Sequence, residues 1–264
     1  MKLLNSSRTN PVYDHLVAGE QLVVVQLNVY RMRWRWHERA RLILDELARL
    51  QPDVICLQEV APFRRQAQWL ARQLTARIDG PYRAYVTRKR GWRGLLEGIA
   101  ILTRLPASDF ASLPLGRDRV AQRLRVRVGA RPVTFANTHF SAGGAEPIRQ
   151  ARIEQASRLL AWLGDPGPLV VAGDLNAQPV SRTLARFTER GLRSAYLLAN
   201  GREPDRTVPS FEAPRPGYVL DYILVNEQIE VLTAEVAFTR PSPTGLSLYP
   251  SDHFGLVARL AIRG

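Results

Sequence analysis

The feature that most limits how this chain can fold is a repeated one: short apolar runs that end on, or open from, a polar or ionisable side chain. QLVVVQLNV (21–29) reaches Asn28, DVICLQEV (53–60) reaches Glu59, and PVTFANTHF (132–140) reaches His139. LVVAGDLNAQP (169–179) carries Asp174 and Asn176 past four apolar residues, and Ser251-Asp252-His253 adjoins FGLVARLAI (254–262). Runs of this length, bounded by turn residues, read as buried strands. Between them lie helical periodicities. Leu42, Ile43, Leu47 and Leu50 mark a helix over 39–50 that Pro52 closes. Phe63, Trp69, Leu70 and Leu74 mark a second over 62–76, and Ile148 through Leu163 a third over 146–163. Another follows Pro179 and runs to about Arg190. YRAYV, GIAILTR, LRVRV, YVLDYILV and IEVLTAEVAF add strands, and the alternating arginines of LRVRV predict one wet face. Strands separated by helices in both halves predict two packed sheets with helices outside, an α/β sandwich. The partition expected is a loosely attached arm over 1–20 and a single domain over 21–264, read as a monomer.

LVVAGDLNAQP shows why the strand ends matter. An acid at the mouth of a buried strand has no packing reason to be there, and in extended backbone Asp174 and Asn176 would share a face. In an open α/β sheet, ligands bind beyond the carboxyl ends of the strands. If the polar ends face one way, they assemble carboxylates, amides and imidazoles at one rim. Such an oxygen-rich set suits Mg²⁺ or Mn²⁺ better than zinc, for which the pattern supplies no cysteine ligand. A hard cation beside histidine and aspartate suits phosphoester hydrolysis.

The formal charge of +13 points to an anionic partner. Lys2 and Lys89 are the only lysines, so the excess is arginine, and its clustering carries more weight than its total. Arg31, Arg33, Trp34 and Arg35 directly follow Asn28, and Arg90, Trp92 and Arg93 precede Glu97. Arginine interleaved with tryptophan suits phosphate contacts with base stacking, as in single-strand nucleic-acid grooves. It also suits an anionic membrane surface. No apolar stretch approaches the ~18 residues of a membrane span, and MKLLNSSRTN is too short in apolar character for a signal peptide, so a cytoplasmic location is expected. The lone Cys56 is read as a buried small hydrophobe.

Taken together, LNV, DVICLQEV, EGIAIL, NTHFSAG, GDLNAQP, LDYILV and SDHFGLV resemble, in order, the motif set of the endonuclease/exonuclease/phosphatase superfamily. The resemblance spans about residue 21 to the C-terminus. It implies a four-layer α-β-β-α sandwich and a set of roles. Glu59 is the main metal ligand, helped by Asn28 and Asp252 directly or through water. Asp174 orients or deprotonates the attacking water, and Asn176 holds a phosphate oxygen. His253, positioned by Asp221, contacts the scissile phosphate or acts as the base. His139, paired with Glu97, stabilises developing charge or assists the leaving group. A charged partner on each imidazole is expected to favour its protonated form. NTHFSAG differs from the corresponding stretch of apurinic endonucleases, and LDYILV lacks the Cys-Asp-Arg pattern of inositol 5-phosphatases. Three readings follow: a Mg²⁺-dependent phosphodiesterase or nuclease on nucleic acid, a phospholipid or small-phosphomonoester hydrolase, and a basic binding module without catalysis.

Overall fold

The computed structural model describes residues 21–78, 80–210, 217–243 and 247–263. The arm expected over 1–20, and Pro214 and Pro216 of the proline-rich stretch, lie outside the described residues. In chain order the elements are β1 (Gln21–Asn28), α1 (Trp36–Leu50), β2 (Val54–Val60), α2 (Gln66–Thr75), β3 (Arg83–Arg88), a 3₁₀ turn (Trp92–Leu95) and β4 (Gly98–Thr103). Then come β5 (Ala107–Gly116), β6 (Arg119–Val128), β7 (Arg131–His139), α3 (Glu146–Leu163), β8 (Leu169–Asp174) and α4 (Arg182–Glu189). The chain closes with β9 (Arg193–Ser194), α5 (Ala195–Asn200), β10 (Asp221–Val225), β11 (Ile229–Ala237) and β12 (Gly255–Ile262).

The strands form two six-stranded mixed sheets, ordered β11-β12-β1-β2-β4-β3 and β5-β6-β7-β8-β10-β9. Each has one parallel pair at its centre, β1 with β2 and β7 with β8, flanked by antiparallel neighbours. That arrangement positions the site. The carboxyl ends of the parallel strands and the amino ends of β4, β10 and β12 lie at one rim: Asp221 is directly opposite Asp174, and His139 is in register with Asp174.

The faces that meet between the sheets are aliphatic and aromatic, with Val24, Cys56, Ile101, Phe135, Val170, Ile223 and Leu260 in one buried cluster. α1 and α2 cover the outer face of the first sheet through Ile43, Leu47, Leu70 and Leu74. Leu159, Leu163, Leu184 and Phe187 of α3 and α4 cover the outer face of the second. Four layers result, as the resemblance implied.

Several boundaries differ from expectation. α1 begins at Trp36 rather than Arg39, because Trp36 and Ala40 extend the buried stripe by a turn. α2 starts at Gln66 rather than Pro62, after Arg65 in left-handed backbone. Phe63 therefore falls in a turn outside the helical period and is 70% exposed, not part of an apolar helix face. β5 has no counterpart among the expected strands. As an edge strand it is mostly exposed and carries Pro114, which only an edge accepts. β6 shows the expected alternation: Leu124, Val126 and Val128 are buried, whereas Arg125 and Arg127 are exposed. Gly173 lies inside β8. A Cβ there would stand 2.2 Å from the Thr138 carbonyl oxygen, so the residue permits close approach of β8 to β7.

Candidate active site

At the rim, the side chains expected from the strand ends come together in two adjoining groups. Asp174, Asp221 and His253 offer ligand atoms within 4.8 Å of one another, as do Glu59, Glu97 and His139. Asp174 is the junction. Its Oδ2 accepts from Asn28 Nδ2 at 3.1 Å and lies 3.3 Å from His139 Nε2 and 3.9 Å from His253 Nε2. Its Oδ1 accepts from the Asn176 main-chain N–H at 3.0 Å. Burial first, then Asp221, push the Asp174 carboxyl up to about 7, against the pull of His253. Asn176 is not on an extended strand with Asp174, as the two-residue spacing suggested. β8 stops at Asp174 and Asn176 adopts φ +48°, with Nδ2 donating to the Phe140 carbonyl at 3.1 Å.

The surroundings push the two imidazoles in opposite directions, whereas a charged partner on each led to the expectation that both favour protonation. His253 Nδ1 lies 2.8 Å from Asp221 Oδ2. Burial opposes a charge on His253, but Asp221, Asp174 and Asp252 outweigh it and raise the group to about 10. His139 is pushed well below the ordinary histidine range by burial, then by Arg119 and Lys89. Its Nδ1 sits 3.6 Å from Glu97, too far for a hydrogen bond, so that acid does little to offset the push toward the neutral ring.

Glu97 is more heavily engaged than a single histidine pairing implies. Lys89 forms an ion pair with it, Arg119 Nη1 lies 3.8 Å away and Arg31 Nε 3.9 Å away. Glu59 sits in a β-bulge: the β2–β4 register shifts between Leu57 and Val60, and Glu59 has φ +51°. Its carboxyl is raised by burial, then by Glu97 and Asp252, and Arg31 Nε stands 3.6 Å away. Asn28 Oδ1 accepts from the Tyr30 N–H at 3.0 Å, and Asp252 Oδ1 accepts from Ser251 Oγ at 3.2 Å.

Of the basic loops, Arg31 reaches the site acids from the first and Lys89 from the second. Arg35 ion-pairs with Glu38 and Arg33 lies over the Tyr30 ring at 5.3 Å. Trp34, Arg90 and Trp92 are exposed, and the side chain of Arg93 is outside what the structure describes.

Three sets of residues that strand-end reasoning did not find complete the site. Gln26, Gln58 and Asn137 form a buried amide relay between the sheets. Gln26 Nε2 donates to Asp221 Oδ1 and to Gln58 Oε1, both at 2.7 Å, and Gln58 Nε2 donates to Asn137 Oδ1 at 2.7 Å. Each stands inside an apolar run, and that misfit was the available signal. Arg39, 2% exposed, donates to the carbonyls of Val29, Tyr30, Arg31, Arg33, Trp34 and Pro250. It thereby ties the loop after β1 to the segment before Asp252; an arginine on the apolar stripe of α1 marked it. Lys89 stands in the second basic stretch, between Arg88 and Arg90, whereas Arg119 carried no comparable signal.

The family model described as the Endonuclease/Exonuclease/phosphatase family matches residues 25–253. Nocturnin of Xenopus laevis is 30% identical over 256 residues, covering 84% of this chain; the chain spans 64% of that relative's length. The human Nocturnin catalytic domain, solved with a bound sulfate anion, superposes with a TM-score of 0.75 at 28% identity, over 92% of this chain and 94% of that one. A mannosyl-6-phosphatase of Bacteroides thetaiotaomicron shares the fold, with a TM-score of 0.76 at 19% identity over 91% of this chain and all of its own.

Proposed function

This chain belongs to the endonuclease/exonuclease/phosphatase family, and from that membership we propose that it is a metal-dependent hydrolase of phosphoester bonds acting on nucleic acid or nucleic-acid ends. The observation that carries the proposal is the junction at Asp174, where a carboxylate meets one amide and two imidazoles, one pushed toward the neutral form and one toward the cation.

The donor set fits a hard divalent cation, Mg²⁺ or Mn²⁺. The Asp174–Asp221–His253 group is satisfied internally by hydrogen bonds, but the neighbouring group is not. Glu59 carries a raised proton affinity beside two other acids, and His139 Nδ1 is buried without a hydrogen-bond partner among the described residues. Glu59 and Asp252 would hold the ion, with Asn28 contributing directly or through water. When bound, such an ion polarises a phosphoryl oxygen and offsets charge on it.

The protein's own groups supply the rest. Asp174, held by Asn28 and the Asn176 N–H and poised to take up a proton near neutral pH, accepts the proton of the attacking water at Oδ2. His253 stays protonated through Asp221 and presents Nε2–H to a non-bridging phosphoryl oxygen. Asn176 keeps one amide hydrogen for a second such oxygen. Neutral His139 donates from Nε2 toward the leaving oxygen, with Lys89 and Arg119 holding Glu97 behind it. Trp34, exposed on the rim, supplies stacking for a single strand.

A panel of DNA, RNA, nucleotides, phospholipids and sugar phosphates with Mg²⁺, and with EDTA as control, tests this. Hydrolysis of nucleic acid that EDTA abolishes is expected, with Asp174→Asn slower by roughly 10²–10⁴-fold. Native turnover in Asp174→Asn removes that residue as the base. Salt-sensitive DNA binding with no turnover of any substrate would mark a binding module instead.

A further inference from the structure

Two turns beside the cleft expose more apolar surface than folding explains. Phe63 and Trp92 are each 70% exposed, Leu95 is 51% and Leu96 52%. They form one patch, because the Phe63 N–H donates to the Leu95 carbonyl at 3.3 Å and joins the β2–α2 turn to the β3–β4 turn. Among the described side chains, the exposed charged ones on these turns are cations, Arg64 and Arg65 on the first and Arg90 on the second, with Arg88 at the end of β3; the half-buried Asp118, whose carbonyl accepts from the Arg90 N–H at 3.1 Å, is the acid that adjoins them. Glu97, the acid within the same span, is buried and ion-paired.

We propose that this patch docks the protein on an anionic lipid bilayer, with Phe63, Trp92, Leu95 and Leu96 entering the interface and the arginines meeting lipid phosphates. Aliphatic side chains separate this partner from a nucleic acid. Leu95 and Leu96 have neither a π-face for a base nor a hydrogen bond to offer, and they gain only by leaving water. Large aromatic and aliphatic residues inside a cationic rim are the composition of an interfacial anchor. Because Phe63 follows Glu59 by four residues and Leu96 precedes Glu97, docking sets the mouth of the cleft against the headgroups. The proposal goes beyond the hydrolase reading and does not depend on it, since binding is measured without turnover.

The test is co-sedimentation of the full chain with phosphatidylcholine vesicles, with and without phosphatidylserine, alongside single-stranded oligonucleotide binding. The double variant Leu95→Ser/Leu96→Ser and the single variant Phe63→Ser probe the apolar contribution. All three positions are solvent-exposed, and unchanged thermal unfolding verifies the fold. Expected are partitioning onto phosphatidylserine vesicles only, a loss of at least tenfold in the double variant, and unchanged oligonucleotide affinity. No partitioning by the native protein, or partitioning equal in the double variant, overturns the proposal. So does a double variant that loses oligonucleotide affinity instead, which would make the patch a nucleic-acid surface.

Discussion

Replacing Asn137 by leucine should damage this fold more than its size suggests, and replacing its neighbour Gln122 in the same way should not. The two residues are directly opposite on β7 and β6, and both are fully buried. Asn137 Nδ2 donates to the carbonyls of Leu57 at 3.0 Å and Ala100 at 2.8 Å, and Oδ1 accepts from Gln58 at 2.7 Å. Leu57 and Ala100 are the last registered pair before the bulge that carries Glu59. Three bonds at about 1 kcal/mol each, plus carbonyls left in apolar surroundings, outweigh the apolar gain of leucine and leave a net loss of about 2–4 kcal/mol. The Gln122 side-chain amide has no hydrogen-bond partner among the described residues, so Gln122→Leu sheds an unsatisfied group and should be neutral or stabilising. Urea unfolding measures both. With a denaturant slope of about 3 kcal/mol/M, the Asn137 variant should lose roughly 1 M in midpoint. Equal losses in the two variants, or a shift below about 0.3 M for Asn137→Leu, would refute the idea that the intersheet relay supports the bulge.

Other expectations follow from single groups. Arg39→Met removes the guanidinium shared by six main-chain carbonyls, of which those of Tyr30 and Arg31 keep a second donor, and should cost about 3–5 kcal/mol in urea unfolding, with Arg39→Lys recovering only part of it. Burial pushes the Cys56 thiol up, so a disulfide-exchange reagent should find no reactive thiol in the native protein and one after denaturation. His253 is raised from 6.5 to about 10 on folding, so its contribution is full below pH 6.5 and is lost as pH rises toward 10. In EDTA, unfolding midpoints should therefore fall across that window, and Asp221→Asn should flatten the decline. Mg²⁺ should raise the unfolding temperature of the native protein, and Glu59→Gln should abolish that rise while leaving the metal-free value nearly unchanged.

What the sequence disclosed and what it withheld divide along a physical line. Strands and helices were legible because burial imposes a period, and the strand-end residues because an acid, amide or imidazole closing an apolar run has no packing role. From Asn28 to His253 those residues do meet at one rim, since two parallel pairs at the sheet centres bring their carboxyl ends together. The backbone there was not legible. Tyr30, Arg31, Glu59 and Asn176 all adopt left-handed φ without being glycine, a choice that costs about 1–3 kcal/mol at a residue and persists only when its surroundings hold it. The residues that hold it are largely those the sequence hid. Arg39 grips the carbonyls of Tyr30 and Arg31, Asn137 grips the strand pair leading into Glu59, and Asp174 accepts the Asn176 N–H. Two of these three are polar groups set inside apolar periodicity, where pattern reading treats them as noise. In a fold whose polar residues gather at strand ends, a buried arginine or amide that breaks the pattern is therefore a pointer to strained backbone nearby, and strained backbone is what aims the side chains proposed to be catalytic.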